Sequence, residues 1–234
     1  MPSVDSLAIA LFWSATTIAA YVLARALYRR RARWWLSPLL IAPLLLLVPA
    51  LAFGIDYRTY IRGTHWLMLA LGPATVAFAL PIYEYRAVIR RNWPVLLVGV
   101  LAGSTIAMLS AWGLARLFGL SQALTLSLLP RSMSMPFALI VSGDIGGVPD
   151  LTAVFVVLTA VLGVAMGEIL LKWLPLRSAL ARGALFGMGA HGAGVAKAGE
   201  IGGEEGSIAG LVMILSGIGN VLAAPLLAVL LGRF

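Results

Sequence analysis

Residues 182–206 place glycine and charge between two long apolar segments. The stretch reads RGALFGMGAHGAGVAKAGEIGGEEG and holds a histidine, a lysine and three glutamates among its glycines. Ionisable residues at membrane depth are costly and usually line a polar pathway. Glycine at this density disfavours a continuous helix, and non-helical backbone inside a bilayer needs protein or a water-filled cavity around it. The stretch therefore predicts half of a solute site, built from a broken helix.

The membrane setting follows from the composition. Of the 234 residues, 61% are hydrophobic and only 11% are charged, with a mean hydropathy of +0.99. These values are far from those of a soluble domain. We expect an all-α polytopic membrane protein with a single integral membrane domain over residues 1–234. The net charge of +8 lies in short loops between apolar runs, which is the positive-inside pattern and argues against nucleic acid as a partner.

Several chemistries are excluded by what the sequence lacks. There is no cysteine, so neither a disulfide framework nor a cysteine-based metal site is expected. Only His65 and His191 are available as histidine ligands, which is too few for a zinc site. We find no phosphate-binding loop, no acid pair with a base and no catalytic triad. The sequence therefore predicts no enzyme, no cofactor and no metal held by side chains, and leaves open a sodium site formed by unwound backbone carbonyls.

The apolar runs predict seven to eight membrane segments, several of them broken or re-entrant. They span residues 7–28, 37–53, 65–85, 94–117, 121–147, 151–173, 182–206 and 207–231. Arginines in the loops 29–35, 86–93 and 174–182, with Lys172 just before the last of them, predict that these loops are cytoplasmic and that the N-terminus is outside. Residues 54–63 are then a short external loop.

Segment 121–147 has two prolines, Pro130 and Pro136, that bracket Arg131, Ser132 and Ser134. The apolar arms on either side are about nine residues long and would cover roughly 14 Å, or half of the hydrocarbon core. This pattern predicts a re-entrant hairpin whose tip lies near the middle of the membrane.

The layout also predicts two inverted repeats, residues 37–117 and 151–231. The middle member of the first repeat carries Gly72-Pro73, where a helix should kink or break. The middle member of the second is the stretch 182–206. Interrupted segments at matching positions of two halves indicate the binding site of a transporter.

Four motifs in order resemble the LrgB/CidB family of membrane proteins. They are LGPATVA at 71–77, LLPRS at 128–132, GDIGGVPDLTAVFV at 143–156 and AHGAGVAKA at 190–198. The resemblance runs from about residue 5 to the end. Family members often have lysine where Arg131 stands, and many have proline where Glu168 stands, so this chain should bend less at Glu168.

Two functions are implied by the resemblance. The family was named for holin-like control of murein hydrolase export and autolysis, beside a small membrane partner of LrgA/CidA type. Other relatives resemble transporters of small carboxylates such as glycolate, glycerate or pyruvate. Matched broken helices with a polar middle fit a transporter better than a holin, which needs only lateral association to form a hole.

Arg131 is the first candidate for binding a carboxylate, because its planar fork matches that group. The alternative is an arginine that reaches lipid headgroups from a shorter loop. Ser132 and Ser134 would add hydroxyl donors. Ala74 and Thr75 follow the break at Gly72-Pro73, where Thr75 can bond the solute or, more simply, the freed backbone.

His191, followed by Gly192, is a candidate for carrying a proton in symport, or it is a neutral histidine bonded to a carbonyl. Glu200 is a second candidate for coupling, although its spacing from Lys197 also predicts an ordinary ion pair on a helix. Asn220 can contact the solute or join two helices.

The expected partners are a small carboxylate solute, membrane lipid and a second copy of the chain. We expect a homodimer in the bacterial cytoplasmic membrane, with the first two helices at the interface and the broken segments as the moving part. The resemblance adds a small partner of LrgA/CidA type.

Overall fold

The computed structural model describes residues 4–31, 34–70, 73, 76 and 79–231, and in this part of the chain every regular element is helical. The predicted all-α membrane fold is thereby confirmed. The chain forms two compact units, Met1–Ala77 and Phe78–Phe234. Each unit is described on its own below.

The first unit is held together by helix α1, Val4–Arg30. It packs against α2, Pro38–Ala52, and α3, Tyr57–Leu69, and a 3₁₀ turn at Trp34–Leu36 precedes α2. Polar contacts join α1 to α3, because Ser14 Oγ donates to the carbonyl of Gly63 at 3.1 Å and accepts from Trp66 Nε1 at 2.8 Å.

Helix α3 corrects one prediction. It begins at Tyr57, inside the stretch 54–63 that we predicted as a loop. An apolar stripe on one face of this otherwise polar segment is enough to support a helix against α1. The predicted break at Gly72-Pro73, and with it Ala74 and Thr75, lies outside the described residues apart from Pro73.

The second unit contains seven further helices among the described residues. They are α4 Ala79–Glu84, α5 Arg86–Leu117, α6 Gln122–Leu128, α7 Met135–Asp144, α8 Pro149–Trp173, α9 Ala179–Ile201 and α10 Gly203–Leu231. A 3₁₀ turn, Leu129–Ser132, joins α6 to the extended residues before α7. Helix α9 packs against both α8 and α10, and α10 also packs against α5 and α7.

Helix α5 begins at Arg86, eight residues before the predicted start, so the predicted loop 86–93 is helical. Asn92 departs from helical geometry, with φ −116° and ψ 16°. It lies two residues before Pro94, which has no N–H to donate and crowds the preceding turn. The proline therefore kinks a longer helix here instead of starting a new one.

In the part of the chain that the structure describes, four helices are long and apolar enough to cross a membrane: Ile9–Arg30, Arg86–Leu117, Pro149–Trp173 and Gly203–Val229. Helix α8 runs without interruption through Glu168, as the absence of proline there predicts. The chain is a multi-pass membrane protein.

Small residues set the close packing of α9. A Cβ on Gly163 of α8 would collide with the carbonyl of Gly189, and one on Gly187 would collide with the carbonyl of Ala209 on α10. Such contacts are typical of helices that associate in a membrane, where small residues let backbones approach. They fix α9 between α8 and α10.

Candidate functional site

The helical structure of segment 121–147 is interrupted between α6 and α7, as the two prolines predict. After the 3₁₀ turn Leu129–Ser132, Met133 and Ser134 are extended, with φ −100° and −67°. Ser134 directly precedes α7 and its side chain makes no capping hydrogen bond, and Pro136 occupies the first turn of α7, where a missing N–H is tolerated. The break therefore leaves the N-terminus of α7 next to Arg131.

Both arms of this broken segment contact the start of α8. Ser127 Oγ accepts from the N–H of Val148 at 2.8 Å, and Thr152 Oγ1 donates to the carbonyl of Ser127 at 3.0 Å. Ser142 and Thr152 share a further hydrogen bond of 2.7 Å. The segment thus passes the N-terminal end of α8 at Ser127, turns at residues 129–134 and returns to the same end of α8 at Ser142.

Helix α9 is a second hairpin, which reverses at His191. This residue has φ 39° and ψ −123°, a left-handed conformation that non-glycine residues rarely adopt. A Cβ on Gly194 would overlap the carbonyl of Phe186. Residues eight apart in a straight helix are separated by about 12 Å, so the two arms, 179–190 and 192–201, must fold back on each other.

The two breaks meet. The imidazole of His191 hydrogen-bonds to the backbone of Arg131. Close to this contact, Gly189 of α9 lies against Gly163, which is midway along α8. Phe137 of α7 packs on Gly217, which is midway along α10. Because α8 and α10 have spanning length, the two tips lie near the middle of the apolar layer.

The tips carry polar atoms without partners. Ser134 Oγ and His191 Nε2 are buried and have no hydrogen-bond partner among the described residues. The two residues are 6% and 2% exposed. Buried polar groups are nearly always hydrogen-bonded, so two unpartnered atoms at one junction leave room for a partner from outside the chain, such as water, an ion or a solute.

The electrostatics of the junction favour an anion. Arg131 is half-buried, and within the described part of the chain no carboxylate pairs with it. The N-terminus of α7 and the start of the returning arm at Gly192 add the partial positive charge of helix ends. A full positive charge and two helix N-termini thus belong to the two tips that meet at Arg131 and His191.

The structure brings some of the predicted site residues together and separates others. Arg131, Ser134, His191 and Gly192 meet at the junction, and Ser132 is half-buried beside Arg131. Asn220 instead donates from Nδ2 to Ser104 Oγ of α5 at 3.0 Å, which is the helix-joining role.

Glu200 lies away from the tip, on the returning arm of α9. Its Oε2 is 3.0 Å from Lys197 Nζ, which is the ion pair that the spacing predicts. Sequence reasoning missed the second partner of Lys197, because Glu168 is on α8 and nothing in the sequence links the two helices. Glu168 Oε1 is 2.6 Å from the same ammonium.

Comparison with known proteins identifies the family. The model of the LrgB-like family matches residues 17–230. The chain belongs to this family. YwbG of Bacillus subtilis, named an uncharacterized protein, is 40% identical over 211 residues, which are 90% of this chain and 94% of the relative. Holin-like protein CidB of Staphylococcus aureus is 31% identical over 221 residues, 94% of this chain and 96% of the relative.

No solved structure matches the chain. The match to the LrgB-like family and the similarity to CidB confirm the resemblance that the four sequence motifs indicated. The LrgB-like protein described here is a membrane protein of the holin-like and antiholin-like family.

Proposed function

We propose that this LrgB-like protein is a carrier of small monocarboxylates of the glycolate, glycerate or pyruvate type, and not an enzyme. One observation supports this most: the tips of two broken helices meet around Arg131, with Ser134 Oγ and His191 Nε2 buried and unpartnered. A bound hydroxy acid would supply the missing partners: a carboxylate oxygen can accept from the Ser134 hydroxyl, and the solute hydroxyl can donate to Nε2 of a neutral His191.

The physical argument concerns desolvation. A carboxylate that enters the apolar layer loses its water and needs compensating charge and hydrogen bonds at once. Arg131 provides a guanidinium, whose fork binds two carboxylate oxygens. The N-termini of α7 and of the returning arm of α9 provide further positive potential. The Ser134 hydroxyl can then donate to a remaining carboxylate oxygen, and a hydroxyl of the solute can donate to His191 Nε2.

Transport would follow alternating access of elevator type, coupled to protons or another ion. In this proposal the two hairpins move with the solute, and the chain works as a homodimer in the bacterial cytoplasmic membrane, with its N-terminus outside. His191 and Glu200 are the candidates for coupling. Helices α1 and α2 are the candidates for the homodimer interface. Crosslinks between subunits at Arg131 or His191, with none in α1 and α2, would contradict this assignment.

A second function is favoured by the name of a relative. CidB is called holin-like, and a protein of that kind would modulate murein hydrolase export together with a small LrgA/CidA-type partner. A hole formed by lateral association needs neither unpartnered buried groups nor a positive charge at the centre of each chain. The junction therefore supports the carrier more directly.

The two functions are separated by reconstitution. Proteoliposomes with the purified protein, with and without a small membrane partner, are assayed for uptake of labelled glycolate, glycerate, pyruvate and lactate and for release of a large trapped dye. We expect saturable uptake of a two- or three-carbon acid and retention of the dye. Dye release without saturable uptake would make the holin function primary.

A further inference from the structure

The two nitrogens of the His191 ring have different surroundings. One of them donates a hydrogen bond to the backbone carbonyl of Arg131, on the tip of the other broken segment. Nε2 is buried and has no partner among the described residues, so the donating nitrogen is Nδ1. The backbone of Arg131 thereby sets which nitrogen of the ring carries the hydrogen.

The free nitrogen of this ring is a hydrogen-bond acceptor. A neutral imidazole that carries its hydrogen on Nδ1 has a lone pair and no hydrogen on Nε2. A positively charged ring would place a second charge beside the Arg131 guanidinium, at a residue that is only 2% exposed, and buried unpaired charge is costly. The tip of α9 therefore offers a buried acceptor.

The neighbouring polar groups at the junction are donors. The Arg131 guanidinium has only N–H donors and no acceptor, and helix N-termini offer further N–H groups. The Ser134 hydroxyl can donate as well. A carboxylate only accepts, so it satisfies these groups and leaves His191 Nε2 without a partner.

The missing donor defines the rest of the solute. A 2-hydroxy acid has an O–H on the carbon next to its carboxylate, and this O–H can donate to Nε2 while the carboxylate stays on Arg131. A 2-oxo acid of the same size presents a carbonyl oxygen there, which cannot donate and faces the lone pair of Nε2. An acid without a substituent leaves Nε2 unpaired.

We propose that His191 selects 2-hydroxy acids, such as glycolate and lactate, over 2-oxo acids such as pyruvate. This rests on the carrier function proposed above and narrows its substrate class. Arg131 binds the carboxylate that all these acids share, and His191 distinguishes them by the hydroxyl. Leaving a buried acceptor unpaired lowers affinity by about 5- to 150-fold.

The first experiment uses the wild type in proteoliposomes of the full chain. Counterflow of labelled glycolate is inhibited by unlabelled acids in two matched pairs, glycolate with fluoroacetate and lactate with pyruvate. The members of each pair are similar in size, and only the first has a hydroxyl that can donate. We expect the second member to inhibit at concentrations about 5- to 150-fold higher than the first.

Three variants assign the preference to Nε2. The amide of H191Q can place an oxygen near the position of Nε2, whereas the shorter amide of H191N reaches only the position of Nδ1. We expect H191Q to keep the preference for the hydroxyl. We expect H191N to bind lactate more weakly, without a loss of affinity for pyruvate. Glycine suits the positive φ of this residue, so H191G repeats the test if H191N does not fold.

The outcomes separate the two proposals. If the wild type exchanges none of glycolate, lactate and pyruvate, the carrier function is overturned, and the selection of hydroxy acids with it. Saturable exchange in which both pairs bind within about threefold of each other, or in which pyruvate is preferred, overturns the selection alone. A preference for the hydroxyl that persists in H191N and H191G would overturn the role of His191.

Discussion

Removal of the guanidinium of Arg131 tests the anion site most directly. A hydrogen bond to a charged group contributes about 1.5–3 kcal/mol when it is well formed. The fork offers two such bonds, but Arg131 is only half-buried, so we take about 2–3 kcal/mol for the pair together. This predicts a dissociation constant roughly 30- to 150-fold higher in R131A than in the wild type.

R131K provides the matched control. Lysine keeps a point charge and loses the fork, so we expect affinity between those of the wild type and R131A. The hydrogen bond of His191 goes to the backbone of residue 131 and is therefore open to every variant at this position. The loss in R131A then reports the side chain and not a collapse of the junction.

The assay is equilibrium binding of the labelled carboxylate to purified protein at one pH, with all three forms side by side. Equal affinity in wild type, R131A and R131K would remove Arg131 from the site. The stretch 182–206 would then be the remaining candidate for binding the solute.

Three further predictions concern the hairpin and the topology. G194A should lower the yield of folded protein measured by size-exclusion chromatography, because the added Cβ meets the carbonyl of Phe186. The control G189A has open space at its Cβ and should fold normally in the same assay. Equal yields of the two variants would contradict a helix α9 that folds back on itself. H191Q should keep binding within about threefold, since glutamine can still donate one hydrogen bond, and a loss as large as that in R131A would give His191 a larger part in binding. Cysteines placed in the loops 29–35 and 174–182 should stay unlabelled by an impermeant reagent outside intact cells, and labelling of both would invert the topology.

The hairpin of α9 shows how far the sequence determines the fold. Glycine and charge within an apolar region are enough to predict that residues 182–206 break. They do not locate the reversal at His191, because a positive φ at a non-glycine residue is imposed by packing. Here Gly163 of α8 lies against Gly189, and Gly187 of α9 lies against Ala209 of α10. Sequence reasoning therefore found the broken segment and could not find its geometry.

Contacts between distant residues were harder to predict. The pairing of Lys197 with Glu200 follows from helical spacing, whereas Glu168 reaches the same ammonium only because α8 and the returning arm pack together. Asn220 allowed two roles, and its bond to Ser104 on α5 could not be known without the position of that helix. The first turns of helix α3 were predicted as a loop, because arginines and tyrosines interrupt the apolar pattern there.

The internal contacts of α1 have a consequence for biosynthesis. This helix packs against α2 and α3, which follow it directly along the chain, and the unit that they form ends at Ala77. Compact units of a growing chain generally fold in order from the N-terminus. The first three helices can therefore complete their mutual packing at the translocon while the ribosome is still translating the two hairpins.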